Sequence, residues 1–222
     1  MPKNTVLYWS GGKDSAMALY EIGTNQRYGG LRVVSLLTTL TEGYNRISGH
    51  GVRRSLLERQ IACLGLSLHK TYIPKKCTMS EYESVMEQAL SQHVSEGIGY
   101  AATGDIFLKK RRMGMFRKTR MRGCFPLLQK STRENIRIII SLGFKAYVVC
   151  VDSAVLDGSF TGDLVDEDFL DRLPAGVDPC GENGEFHTFV FDGPIFRERV
   201  ECVRGEVVLR EGFYFCDLVP VG

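Results

Sequence analysis

Ser10-Gly11-Gly12-Lys13-Asp14-Ser15 is the segment of this 222-residue chain with the densest capacity for chemistry. Adjacent glycines let the backbone turn so tightly that several N–H groups converge on one concavity, and Lys13 with the Ser10 and Ser15 hydroxyls adds donors. That set suits a polyphosphate or pyrophosphate. Asp14 is out of type, because a carboxylate in an anion-binding loop repels phosphate unless a cation lies between them. It is therefore read as a Mg²⁺ ligand, and the loop as a site for metal-bound nucleotide. The Walker A spacing is absent: Leu7 stands where its first glycine belongs, and Asp14 follows Gly12-Lys13 where a magnesium-binding Ser or Thr is required. A second group lies far along the chain, where Glu182 and Glu185 occupy a glycine-punctuated loop with His187 close by. Two carboxylates and an imidazole can hold Mg²⁺, orient ammonium or accept its proton, and a polar turn leading into a strand is the plainer alternative.

Regular elements have to hold these groups in place. Val6-Leu7-Tyr8-Trp9 is a compact apolar run and Ser15 to Tyr20 reads as a helix, so the glycines fall at a strand-to-helix turn. Leu31 to Leu40 reads as a second strand and His69 to Ile73 as a third. Between them, Val52, Leu56, Leu57, Ile61 and Leu64 give a helical spacing over His50 to Leu66. Ser80 opens another helix with Glu83 at the capping-box offset, and Tyr100 to Thr103 is a fourth strand closed by Gly104-Asp105. Ser131 or Thr132 caps a helix through Ile140, and Ala146 to Val151 is a fifth buried strand. This alternation predicts an α/β fold with a five-stranded parallel sheet and helices on both faces. Such sheets bind ligands at the carboxyl ends of their strands, which puts Gly104 and Asp105 on the nucleotide rim. Further on, Phe186 to Phe191, Arg199 to Val203, Val207 to Leu209 and Phe213 to Leu218 read as short antiparallel strands, with Gly205-Glu206 as a hairpin turn. The expected organisation is a nucleotide-binding domain over 1–152 and a small acceptor-binding α+β subdomain over 153–222.

Hydrophobic residues at 44% and charged residues at 24% argue against disordered and membrane classes, and no apolar run has membrane length. The opening Pro2-Lys3-Asn4 does not fit a signal peptide, so a cytoplasmic chain with reduced thiols is expected. Seven cysteines and four histidines are scattered without zinc or redox spacing. The net charge of +2 conceals an uneven distribution: eight of the fourteen residues from Lys109 to Arg122 are basic, namely Lys109, Lys110, Arg111, Arg112, Arg117, Lys118, Arg120 and Arg122. Asp152 to Glu185 holds ten carboxylates and a single basic residue, Arg172. Met113, Met115, Phe116 and Met121 interleave with the cations. The segment therefore suits a lid over phosphates or over an acidic acceptor, or a dock for ribosome-associated protein or RNA, and a solvated loop is the plainer alternative.

The hexapeptide after the first strand resembles the PP-loop of the N-type ATP pyrophosphatases. Asp178-Pro179-Cys180-Gly181-Glu182-Asn183-Gly184-Glu185-Phe186-His187-Thr188, with Ala102-Thr103-Gly104-Asp105-Ile106 and His50-Gly51-Val52-Arg53, resembles blocks of the diphthine–ammonia ligase family, over nearly the whole chain. The resemblance implies an adenine nucleotide alpha hydrolase-like fold. It also implies cleavage of ATP to AMP and pyrophosphate, adenylation of the diphthine carboxylate on elongation factor 2, and capture of the adenylate by ammonia. ATP and Mg²⁺ are the implied cofactors. Ammonium and a protein acceptor, or else a small carboxylate, are the implied partners, with no membrane partner and a homo-oligomer left open. The site residues expected are Lys13, Asp14, Glu182, Glu185 and His187 for catalysis, and Ser10, Gly11, Gly12, Lys13, Asp14, Ser15, Gly104 and Asp105 for the nucleotide. One departure is visible, Pro126-Leu127-Leu128 where the pattern has Pro-Leu-Trp. Competing readings are tRNA thiolation, which usually needs paired cysteines, and a nucleotide sensor, for which the carboxylates have no purpose.

Overall fold

The structure, a computed structural model, describes residues 2–107 and 109–221, without the side chains at 109–111. Its elements run β1 (Lys3–Tyr8), α1 (Lys13–Thr24), β2 (Leu31–Thr41), β3 (Arg46–Ile47), α2 (Arg54–Leu64), β4 (Ser67–Ile73), α3 (Met79–Ser95) and β5 (Tyr100–Ala102). They continue with α4 (Lys109–Lys118), β6 (Arg122–Cys124), α5 (Thr132–Ser141), β7 (Lys145–Asp152), α6 (Glu167–Arg172), β8 (Phe186–Asp192), β9 (Cys202–Arg210) and β10 (Phe213–Pro220). The chain forms two compact units. The first takes Met1–Ser10, Asp14–Ser48 and Leu66–Gln129, and the second takes Gly11–Lys13, Gly49–Gly65 and Lys130–Gly222.

In the first unit β4, β2, β1, β5 and β6 lie parallel, and β3 adds two residues antiparallel to the end of β2. Successive side chains of a strand point to opposite faces. Val6 and Tyr8 of β1, Leu37 of β2 and Ala101 of β5 thus pack on one face with Met86, Ala89 and Leu90 of α3 and Met115 and Phe116 of α4. The alternate phase, Leu7 and Leu36, is 0% exposed, so both faces of the sheet are covered, as its near-continuous apolar strands require. The α/β class and five parallel strands agree with the pattern in the sequence. Membership differs: the fifth parallel strand is β6, three residues long, and not Ala146–Val151.

That apolar run lies in β7, at the heart of an antiparallel sheet of the second unit ordered β8-β7-β10-β9. Ala146, Val148, Val149, Cys150 and Val151 are all buried. A run buried on both faces carries no alternation to tell a parallel core strand from an antiparallel one. The segments read as two strands around Gly205 form the single strand β9. Gly205 marks a bulge, opposite the register shift between Cys216 and Leu218, and a Cβ there would stand 2.7 Å from the Asp217 carbonyl. The hairpin instead turns at Glu211-Gly212, whose φ values of 50° and 85° suit a type I′ turn.

The start of α3 and the conformation of the basic segment are further findings. α3 begins two residues before Ser80 would place it, because Thr78 and Glu81 form the reciprocal capping box. The basic segment forms α4 and β6, and Met115, Phe116 and Met121 are buried in the first unit's core. The apolar face that suggested a docking partner is used by the chain itself. The side chains of Lys109, Lys110 and Arg111 lie outside the described residues. No helix among the described residues is long and apolar enough to cross a membrane.

Candidate functional site

Residues 11–13 run along β8 of the second unit. The Val190 N–H donates to the Gly11 carbonyl at 2.9 Å, and the Lys13 N–H donates to the Thr188 Oγ1 at 3.0 Å. Gln60, fully buried on α2, joins them: its Nε2 donates to the carbonyls of Gly11 at 3.0 Å and Val190 at 2.6 Å. A Cβ at Gly12 would lie 2.9 Å from the Thr188 carbonyl oxygen and 3.2 Å from His50 Cε1, so only glycine permits this approach.

Lys13 is 3% exposed, and a buried ammonium is tolerated only where groups of opposite polarity receive it. Its Nζ donates to the Cys180 carbonyl and stands 5.4 Å from the centroid of the Phe186 ring. The turn that presents this carbonyl is built around Glu185, only 5% exposed. One Glu185 oxygen accepts from the Asp178 N–H at 3.1 Å and the Asn183 Nδ2 at 2.8 Å, and the other accepts from the Asn183 N–H at 2.9 Å. Burial alone would raise its pKa. The Asn183 amide and the backbone N–H groups outweigh burial and hold it below the ordinary carboxylate range. Asp178 adds a second brace, accepting from the Cys180 N–H at 2.8 Å, and the Cys180 thiol donates to the Thr132 carbonyl at 3.2 Å. Glu185 thus shapes the turn from within, and half-buried Glu182 sits on the same turn.

His187 follows on β8, its ring against that of His50 with centroids 4.5 Å apart and the planes tilted by 31°. His50 precedes α2, and its Nδ1 lies 3.2 Å from the Thr188 carbonyl, which makes Nδ1 the protonated nitrogen and Nε2 an acceptor. Burial first, and the Lys13 charge second, lower the His187 pKa to about 4. His50 is likewise held well below 6.5 by burial, by His187 and by Lys13. Both imidazoles are neutral at physiological pH.

The remaining expected residues lie in the first unit. Ser10 and Ser15 have their hydroxyls 3.4 Å apart, and Asp14 lies in the first turn of α1. Gly104, past the carboxyl end of β5, lies so close to this turn that a Cβ would stand 2.5 Å from the Asp14 carbonyl oxygen. Asp105 is taken up within the fold: its Oδ2 accepts from Thr103 Oγ1 at 2.8 Å and from Arg112 Nε at 2.6 Å. Arg112 also reaches the Tyr82 hydroxyl at 3.0 Å and lies 4.8 Å from the Tyr8 ring. Leu128, where a Trp was expected, lines a cavity of about 520 Å³ with Lys3, Arg27, Tyr28, Tyr100 and Phe125. His50, Gln60 and Thr188 carry the second-unit arrangement yet were not among the expected site residues. The signal was present for His50, in the block His50-Gly51-Val52-Arg53, and for Thr188, at the end of the block from Asp178, but not for Gln60.

Two family models match the chain, the diphthamide synthase N-terminal domain over residues 3–123 and the diphthamide synthase C-terminal domain over residues 131–219. A human protein named diphthine–ammonia ligase is 25% identical over 186 residues, covering 80% of this chain and 70% of that protein. The mouse protein of the same name shows the same identity and coverage. Among solved structures, a predicted subunit of tRNA methyltransferase from Methanocaldococcus jannaschii aligns with TM-score 0.47 and 15% identity, over 84% of this chain and 96% of that one.

Proposed function

The chain belongs to the diphthamide synthase family, and on that premise we propose that it is an ATP-dependent amide-forming ligase. In this reading ATP is split to AMP and pyrophosphate, an acceptor carboxylate is activated as an acyl-adenylate, and ammonia displaces AMP. The acceptor is the diphthine carboxylate carried on elongation factor 2, and the reaction belongs in the cytoplasm. The observation that supports it most directly is the second-unit cluster. A buried lysine ammonium on the glycine loop, suited to a departing pyrophosphate, stands with two neutral imidazoles suited to a nitrogen nucleophile.

Ser10, Gly11, Gly12, Lys13 and Ser15 supply donors for phosphate oxygens, and the loop lacks the Walker Ser or Thr that supports γ-phosphoryl transfer. Asp14 would hold Mg²⁺. No three His, Cys, Asp or Glu side chains gather as a metal cluster among the described residues, and this suits Mg²⁺ bound through one carboxylate, substrate phosphates and water. Bound there, the ion would neutralise charge on the phosphates. Arg117, Lys118, Arg120 and Arg122 are exposed and offer a surface for an acidic acceptor or for RNA. The test is chromatography of the spent nucleotide after incubation with ATP, Mg²⁺, ammonium and acceptor. AMP and pyrophosphate in step with amide are expected, and a stoichiometric ADP peak overturns the reading.

A further inference from the structure

We infer that the first unit carries a site, separate from the phosphate loop, for one nucleotide unit: a flat base in a cavity and its phosphate on cations at the rim. The cavity is the one of about 520 Å³ that Leu128 lines, a size usual for small-ligand pockets. The inference does not depend on the ligase reading.

The starts of the strands build it. Lys3, Leu31 and Tyr100 stand at the amino ends of β1, β2 and β5, whereas the phosphate loop follows the carboxyl end of β1. The Lys3 N–H donates to the Gly30 carbonyl at 2.8 Å and the Arg122 N–H to the Gly99 carbonyl at 3.0 Å, which ties these starts together. Arg27 and Tyr28 come from the turn between α1 and β2. Asn25 fixes that turn, its Oδ1 accepting from the Arg27 N–H at 3.0 Å and its carbonyl from the Tyr28 N–H at 2.9 Å.

Half-buried Tyr28, Tyr100, Phe125 and Leu128 supply apolar walls, and exposed Lys3 and Arg27 bring cations to the same lining. Arg122 adds a third charge at Tyr100. Its Nη1 donates to the Tyr100 hydroxyl at 3.1 Å, its guanidinium lies 5.8 Å from the ring centroid, and the Lys3 Nζ lies 5.5 Å from the same centroid. The Arg122 hydrogen bond, with the Arg122 and Lys3 charges, holds the Tyr100 pKa below its ordinary value against the effect of burial. Among the described residues no carboxylate lines the cavity, and Lys3, Arg27 and Arg122 form no ion pair. Glu21, whose charge reaches Tyr28, lies outside the lining.

The two halves of the lining set the ligand class. Aromatic and aliphatic walls favour a flat ring, and every base has a π-face to offer them. Cations without a neutralising carboxylate favour phosphate. A peptide carboxylate lacks the ring, and a simple anion leaves the walls unused. A free nucleoside monophosphate and a residue of single-stranded RNA share the required chemistry.

The test uses the full chain with excess Mg²⁺ and a non-hydrolysable ATP analogue to occupy the phosphate loop, and thiouridine monophosphate as a photo-cross-linking probe. Cross-links should map to Tyr28, Tyr100 or Phe125. Arg27→Glu and Tyr28→Leu should each weaken binding about tenfold while leaving ATP–pyrophosphate exchange unchanged. Uridine alone and inorganic phosphate alone should bind more weakly than the monophosphate. A single-stranded uridine oligomer of about six nucleotides separates the two sources. Tighter binding with the same cross-links, and a salt slope smaller by about 0.7 in Arg27→Glu, assigns the site to RNA. An affinity no better than that of the monophosphate assigns it to the free nucleotide. Cross-links confined to other residues, affinities unaltered in both variants, or exchange lost with either variant overturn the inference. Should Tyr28→Leu not fold, the exposed Arg27→Glu decides alone. Absence of exchange in the unaltered chain counts against the ligase reading only, since the cross-links and affinities still decide this one.

Discussion

Glu185 shows how a carboxylate beside a reactive group can serve the fold. Its two oxygens take three N–H donors within one turn, and that turn holds the carbonyl on which Lys13 rests. Hydrogen bonds to a buried charge contribute about 1.5–3 kcal/mol each, so Glu185→Gln, which turns an acceptor into a donor facing the Asn183 N–H, should lower the unfolding free energy by about 2 kcal/mol. Urea unfolding reads this. Full stability with lost turnover would return Glu185 to direct substrate contact. At Gly12 the close approach to the Thr188 carbonyl and His50 leads to a different expectation. Gly12→Ala should push the loop off β8 and raise the KM for ATP at least about tenfold, with thermal unfolding little changed. A KM equal to that of the unaltered chain would show that the loop yields at no cost.

His187 links the site to stability through pH. Its folded pKa of about 4 lies below the ordinary 6.5, so between those values the unfolded chain binds the extra proton. The contribution is therefore complete above pH 6.5 and is lost as pH falls to 4, by about 2–3 kcal/mol. Unfolding free energies at pH 7 and pH 4 should differ by correspondingly less in His187→Asn. An identical drop in both proteins would contradict the shift.

At the scale of elements, the start of α3 offers a direct comparison. Thr78-Met79-Ser80-Glu81 and Ser80-Glu81-Tyr82-Glu83 both satisfy the capping-box spacing, and the first one forms. Thr78→Ala should cost about 1 kcal/mol and Ser80→Ala only a few tenths, measured by chemical denaturation. The reverse order would put the helix start at Ser80 after all. The strand–loop–helix at residues 6–20 was legible because an apolar run, a glycine pair and a helical pattern meet there with no competing signal. β6 was not, since Arg122-Gly123-Cys124 lies within a run of cations and owes its strand state to the pairing of β5 alongside it. Asp105 read as a rim residue for a similar reason: the use of its carboxylate by Arg112 depends on how α4 returns to β5, which no local spacing reports.

At the scale of the molecule, the order of the chain and the order of its compact units diverge. The family's C-terminal domain begins at residue 131, yet the second unit also contains residues 11–13 and 49–65. Those segments are integral to it. Arg53 pairs with Asp217 through Nε at 2.9 Å, Gln60 satisfies the Val190 carbonyl, and the Arg197 N–H donates to the Cys63 carbonyl at 2.9 Å. Leu56, Leu57 and Ile61 of α2 are buried as well. Burial of a large aliphatic side chain is worth about 1.5–3 kcal/mol, so three such residues amount to a large part of the 5–15 kcal/mol that stabilises a typical domain. Residues 131–222 expressed alone should therefore lack a cooperative thermal transition, although they carry the four-stranded sheet complete. A chain in which 49–65 is joined to 131–222 by a flexible linker should regain that transition. Circular dichroism melts decide it: a sharp transition in 131–222 alone would show that α2 is an addition to a self-sufficient sheet, and the phosphate loop would then owe little to the strand it lies along.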